Sequence, residues 1–252
     1  IKFAENPPKK YEDIVNFRYY AGDQPNAPFW EAIRDLFLFW IERGVTIFRV
    51  DNPHTKPFPF WEWIIAEVRR TCPEAIFLSE AFTRPKIMKR LAKIGYNQSY
   101  TYYTWRNTAW ELREYLEELT TEECRHYMRP NFFTNTPDIN PYFNHDSGRP
   151  GFRTRAIMAA SLSGNWGLYS GFELCEADWL PPKDEYLNSE KYELKHRDWD
   201  APGNIKDDIR LMNRLRNAHP ALRAFTSLTF YNASSDSVQA EHCRNFVANT
   251  LL

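Results

Sequence analysis

Glycine is scarce in this chain, nine residues in 252, and none sits in the Gly-rich turn that cradles a phosphate where a strand meets a helix. The four cysteines (Cys72, Cys124, Cys175, Cys243) are scattered, without a CxxC pair or a histidine at ligand spacing. That excludes the common structural metal motifs, and reduced thiols are expected, with no metal and no cofactor. Neither sign of charge dominates: 32 Lys and Arg stand against 33 Asp and Glu, with no basic stripe. Nucleic acid and acidic membranes are therefore poor partners. No apolar run is long enough for a membrane span or shaped like a signal peptide, so a cytoplasmic location is expected. Internal repeats and low-complexity tracts are also missing.

What is present is length and aromatic surface. The chain can bury a good core as one large α/β domain. Aromatic residues make up 16% of it; most are expected in the core, and flat rings also suit a protein that stacks sugars.

The most informative stretch is Phe48-Arg49-Val50-Asp51-Asn52-Pro53-His54, followed after a helix-sized gap by Phe77-Leu78-Ser79-Glu80. Each reads as a short apolar strand ending in a carboxylate. A βαβ unit makes such strands parallel and puts both acids at the same C-terminal edge. Strand 131–134, running on to Asp138, adds a third acid in an equivalent place. One strand-end acid is commonly a cap or an ion-pair partner. Three together fit glycosidic-bond chemistry, in which one carboxylate attacks the anomeric carbon and another moves the proton.

Along the chain, residues 1–25 read as loop. Helical spacing follows from Asn26 to Gly44, a strand at 46–51, a helix at 60–70 and a strand at 76–80. Thr83 is expected to cap the next helix, with Pro85 in its first turn. Then come a strand at 99–103, a helix opened by the capping-box spacing Thr108…Glu111, a strand at 132–134 and a long loop through Gly148. A helix at 153–162, a strand at 166–170, a charged Pro-rich loop to Gly203 and an amphipathic helix at 205–217 complete the series. The alternation predicts the C-terminal part of a (β/α)8 TIM barrel, about strands 4–8, with the first strands missing upstream. Residues 1–225 would be this partial barrel, and 226–252 the truncated beginning of a C-terminal β-domain or an aberrant tail. Ile1 in place of an initiator Met and the unpaired strand-like end suggest a piece of a longer protein.

The runs Phe48-Arg-Val-Asp-Asn-Pro-His-Thr-Lys-Pro, Phe77-Leu-Ser-Glu-Ala-Phe-Thr-Arg-Pro and Phe133-Thr-Asn-Thr-Pro-Asp138 resemble the catalytic strand motifs of the α-amylase superfamily, glycoside hydrolase family 13. Ala4-Glu-Asn-Pro-Pro-Lys-Lys-Tyr11, Gln98-Ser-Tyr-Thr-Tyr-Tyr-Thr-Trp-Arg-Asn107, Gly148-Arg-Pro-Gly-Phe152 and Tyr169-Ser-Gly-Phe-Glu-Leu-Cys-Glu176 are similar to the bacterial maltosyltransferases that extend α-1,4-glucans from α-maltose 1-phosphate. The resemblance implies Asp51 as nucleophile, Glu80 as general acid/base and Asp138 as the carboxylate that holds sugar hydroxyls. It implies Asn6, Lys9 and Asn52, with Tyr11 nearby, at the donor phosphate, and Lys191 and Tyr192 at the maltosyl unit. It also implies a role in glycogen synthesis, α-maltose 1-phosphate and maltooligosaccharide as substrates, and a homodimeric full-length parent. The superfamily's earlier Asp-x-x-x-Asn-His strand motif is absent, so this chain alone is expected to be inactive or poorly folded.

Arg49, two residues before Asp51, projects to the same side of its strand and can hold Asp51 ionised. Attack by Asp51 on C1 would expel phosphate and leave a covalent maltosyl-enzyme; Glu80 would then deprotonate the 4-hydroxyl of a glucan. Another α-glucan hydrolase or mutase, or an inactive glucan-binding fragment, remains open. His54 reads equally as a substrate contact or a loop hydrogen bond, and His145-Asp146 as loop. Trp105, Trp110, Trp166 and Trp179 read as core, Trp179 being the best platform among them. Glu173 and Glu176 read as structural partners of nearby Arg or Lys.

Overall fold

A computed structural model describes residues 15, 17–187, 194–224, 228–231 and 240–243. They form two compact units: one runs to Tyr100 and includes Tyr127–Arg129, the other holds Thr101–His126 and everything from Pro130 onward.

The first unit opens with a small antiparallel hairpin, β1 (Tyr20–Ala21) and β2 (Gln24–Pro25), where a plain loop was expected. Gly22 makes its turn at a φ of 64°. Helix α1 (Ala27–Ile41) follows, with Pro28 in the first turn, where a missing N–H costs nothing. Strand β3 (Ile47–Asp51), helix α2 (Phe58–Thr71), strand β4 (Ile76–Glu80), helix α3 (Pro85–Lys93) and strand β5 (Gln98–Tyr100) complete it. The three longer strands run parallel in the order β3-β4-β5.

Their helix-facing residues build an aromatic core. Phe77 is fully buried, its ring 5.5 Å from Phe37, 5.6 Å from Phe48 and 6.5 Å from Tyr96. Trp30, Phe60, Trp61, Ile64 and Val68 continue the same core. On the other side of α1, Leu36, Phe39 and Trp40 are exposed, as are Val45 and Ile47 beside them in sequence.

In the second unit, α4 (Ala109–Thr121) starts with the expected capping box: Glu111 N donates to Thr108 Oγ1, and Thr108 N donates to Glu111 Oε2. Strand β6 (Pro130–Phe133) and strand β7 (Asn165–Gly167) are parallel neighbours, linked through α5 (Tyr142–His145) and α6 (Gly148–Leu162). Helix α7 (Lys206–Ala218) packs on α6 through Ile205, Ile209, Phe152 and Phe172. Strand β8 (Leu228–Tyr231) pairs antiparallel with β9 (Ala240–Cys243), so the strand that looked partnerless finds one inside the tail.

Several local expectations are corrected. Thr83 does not cap α3; Arg84 does, because the residue before Pro85 is pushed into extended backbone. The strand expected at 99–103 stops at Tyr100, and Tyr102–Trp105 forms a 3-10 turn. There the Tyr103 ring stacks on Phe132 at 4.5 Å, and Arg155 donates to the carbonyls of Tyr103 and Arg106. Helix α6 begins five residues early, since Pro150 is tolerated in a first turn. Gly151 leaves room there for the Ser147 hydroxyl, which a Cβ would meet at 1.9 Å. Trp110 is not core: it is exposed on the outer face of α4, while Leu112, Tyr115, Leu116 and Leu119 face inward.

Phe77→Ala is expected to cost about 3–5 kcal/mol, and Thr108→Ala about 1 kcal/mol. Both are checked as shifts in urea midpoint at constant slope.

Candidate active site

Strands β3 and β4 pair in register, which puts Asp51 directly beside Glu80, each the last residue of its strand. Parallel neighbours lie about 4.8 Å apart. Two carboxyl groups carried on adjoining strand ends are the kind of pair that glycosidic-bond chemistry uses. Side chains two apart share a face, so Arg49 and Asp51 project together, beside Leu78 and Glu80.

Arg49 joins the two acids. Its Nη1 donates to Asp51 Oδ1 at 3.1 Å, and its Nη2 lies 3.6 Å from Glu80 Oε1. One guanidinium thus offsets the repulsion of two neighbouring carboxylates. The acids differ in setting: the Asp51 side chain is 65% exposed, that of Glu80 only 9%.

Asn52 follows in the left-handed region, at φ 45° and ψ 49°, a conformation Asn tolerates better than most residues. Its backbone N–H donates to the Glu80 carbonyl at 3.0 Å and approaches Glu80 Oε2 at 3.2 Å. The turn leads into the 3-10 segment Pro53–Thr55, tied down by Trp61 Nε1 donating to the Pro53 carbonyl at 2.9 Å.

Two neighbours complete the cluster. Tyr100, at the end of β5, sits under Arg49, whose guanidinium carbon is 5.9 Å from its ring centre. Burial raises the Tyr100 pKa, opposed by the charge and hydrogen bond of Arg49. The sequence reading missed Tyr100; the signal was there, since alternation from Gln98 puts it at a third strand end. His54 has its pKa lowered, mainly by burial and next by Lys56, while Asp51 pulls it upward.

Asp138 belongs to the second unit. It lies five residues beyond β6, exposed, in a turn closed by the Thr136–Ile139 pairing, and its N–H donates to Thr136 Oγ1 at 3.3 Å. The structure therefore brings Arg49, Asp51, Asn52 and Glu80 together in the first unit. Asn6, Lys9, Tyr11, Lys191 and Tyr192 lie outside the described residues. Glu176 is an ion-pair partner as expected, 2.9 Å from both Lys195 Nζ and Arg197 Nε; Glu173 instead accepts from the Gly171 N–H at 3.0 Å. His145 ends α5 and stacks on Trp179 at 4.2 Å, so one face of that indole is already covered.

With known proteins, the sequence is 67% identical over 240 residues to the α-1,4-glucan:maltose-1-phosphate maltosyltransferase of Cereibacter sphaeroides, covering 95% of this chain and 40% of that protein. The Pseudomonas aeruginosa enzyme of the same name is 60% identical over 238 residues, covering 94% and 36%. The chain thus spans about two fifths of the length of these curated relatives. No family model matches it. Among solved structures, the α-amylase of Geobacillus thermoleovorans in complex with acarbose superposes with a TM-score of 0.69 at 17% identity, over 88% of this chain and 52% of that one. AmyP in complex with maltose gives 0.66 at 14%, over 90% and 57%. These likenesses establish the fold: part of the (β/α)8 barrel of the α-amylases, as the strand alternation predicts.

Asp51→Asn is expected to lower the His54 pKa further, and Lys56→Met to raise it, as read by NMR titration of the imidazole. Because His54 titrates below its usual 6.5 in the fold, its stabilising contribution is full above that value. It is lost as pH falls through the lower folded pKa.

Proposed function

We propose that this chain, related over nearly its whole length to the α-1,4-glucan:maltose-1-phosphate maltosyltransferases, carries the acids of a retaining maltosyl transfer. The observation that supports this most is the pair Asp51 and Glu80 at in-register strand ends, with Arg49 reaching both. Asp51 is exposed, and Arg49 Nη1 holds its Oδ1 at 3.1 Å, which orients the carboxyl group for attack. Attack of Asp51 on C1 of α-maltose 1-phosphate forms a C1–O bond to its carboxyl group and releases phosphate with the bonding pair.

Phosphate is a good leaving group without prior protonation, so the first displacement asks little of Glu80. In the second, Glu80 takes the proton of the 4-hydroxyl at the non-reducing end of an α-1,4-glucan as that oxygen attacks C1. Asp51 then leaves, and two inversions retain the α configuration. Asp138 holds sugar hydroxyls; Asn6, Lys9, Tyr11 and Asn52 bind the donor phosphate, and Lys191 and Tyr192 the maltosyl unit. The activity would serve α-glucan synthesis in the cytoplasm, by an enzyme that pairs as a homodimer.

The test is phosphate release from α-maltose 1-phosphate with and without glycogen. In a full-length parent that contains this sequence, glycogen-dependent release is expected, lost in Asp51→Ala and slowed about 10²–10⁴-fold in Glu80→Gln; the 252-residue chain alone is expected to be inactive. Brisk hydrolysis of plain maltooligosaccharides, indifferent to phosphate, would assign the chain to a hydrolase instead.

A further inference from the structure

Within the second unit a cavity of about 250 Å³ opens between Glu176, Asp178, Tyr186 and Lys195. Its walls are pinned. Asn135 Nδ2 donates to the Tyr186 hydroxyl at 2.5 Å while its Oδ1 accepts from Tyr169 N at 2.8 Å. Asn140 Nδ2 donates to the Ala177 carbonyl at 2.9 Å, and Asn140 N donates to the Asp184 carbonyl at 2.8 Å. Asp178 and Tyr186 lie on a hairpin closed by Leu187 N to the Asp178 carbonyl at 3.1 Å and by the Trp179–Tyr186 pairing. Both asparagine pegs belong to the loop that carries Asp138, so the cavity is built onto the mount of the third acid.

Gly171, at a φ of 97°, lets the Glu176 carboxylate come close: a Cβ there would meet Oε2 at 2.2 Å. Lys195 and Arg197 grip that carboxylate and lower its pKa, against the effect of burial, so it accepts hydrogen bonds at neutral pH. Burial raises the Tyr186 pKa, which keeps the phenol protonated. Acceptors at Glu176 and Asp178, a donor at Lys195 and a hydroxyl at Tyr186 therefore face one small space. A phosphate would meet two carboxylates, and a cation would compete with Lys195 and Arg197. Neutral hydroxyls, which donate and accept at once, match this mixture. The volume falls below the ~300–1,000 Å³ of drug-sized sites and suits a single sugar ring.

We propose that this cavity is a further glucosyl subsite, in which Glu176, Asp178, Tyr186 and Lys195 hold one ring of an α-1,4-glucan beside the Asp138 loop. The assignment rests on the maltosyl-transfer reading for its choice of polyol. The test is calorimetric titration of the 252-residue chain with maltotriose and maltoheptaose. Asp178→Leu, at an exposed position that is safe for folding, is expected to weaken binding about tenfold, the loss of one charge-assisted hydrogen bond. Tyr186→Phe should weaken it in the same direction. Affinity unaffected by Asp178→Leu, or no binding of either oligosaccharide, overturns the subsite. Phosphate release that persists alongside such a result leaves the transfer reading intact. Asp178-dependent binding supports the subsite, and a full-length parent that nevertheless releases no phosphate removes the transfer reading.

Discussion

The register of β3 against β4 is the constraint on which the site depends. Asp51 stands beside Glu80 because Ile47 stands beside Ile76 at the other end of the same ladder. A slip of one residue would turn every side chain to the opposite face and separate the acids. The register is held from the helix side: Phe48 packs on Phe37 at 4.9 Å and on Phe77 at 5.6 Å, and Val50 is buried behind them. The aromatic core therefore fixes where the two acids stand on the other face of the same strands. Arg49 completes the arrangement, since the period that aligns it with Asp51 also brings it to Glu80.

The second unit positions its residues by another means. Its loops are long and polar, and they are held by cations and amides that donate to backbone carbonyls. Arg216 donates to the carbonyls of Ala160, Ser163, Gly164 and Leu222, joining the end of α6 to the segment after α7. Arg155, fully buried, donates to two carbonyls while its guanidinium carbon lies 4.2 Å from the Tyr103 ring centre. Burying such a charge is costly unless it is fully hydrogen-bonded, so these contacts commit the loops to one path. Asn135 and Asn140 do the same for the hairpin at 178–187 without any charge.

Much of this was legible in the sequence where the signal is local. The ends of β3 and β4, the Thr108…Glu111 capping box and the helical spacing of α1 and α2 depend on neighbours along the chain, and they stand where expected. The role of Arg49 toward Asp51 was legible too, being a matter of two residues on one strand. Its reach to Glu80 was not, because that needs the register between strands. Tyr100 was missed although alternation along its own strand placed it at a strand end. The expected strand at 99–103 failed at Tyr103, where stacking on Phe132 outweighed a strand-like run of Tyr and Thr. Trp110 shows the limit of composition: a large apolar ring says little about which face of a helix it occupies. The partner of β8 lay hidden in residues 240–243, whose sequence carries no strand pattern.

The contrast between the two acids follows from these placements. The Glu80 side chain is 9% exposed, with the Asn52 N–H at its Oε2, whereas the Asp51 side chain is 65% exposed. Similar carboxyl groups in different surroundings take different roles. On the proposed chemistry the exposed acid must reach an anomeric carbon, and the enclosed one must exchange a proton. The Asn52 N–H and Arg49 both point at the Glu80 carboxyl group and hold it in place. A donor that leaves as phosphate removes the need for a strong acid in the first step. On that chemistry a phosphorylated donor asks less of Glu80 than a plain glucan, whose leaving oxygen must be protonated as it departs.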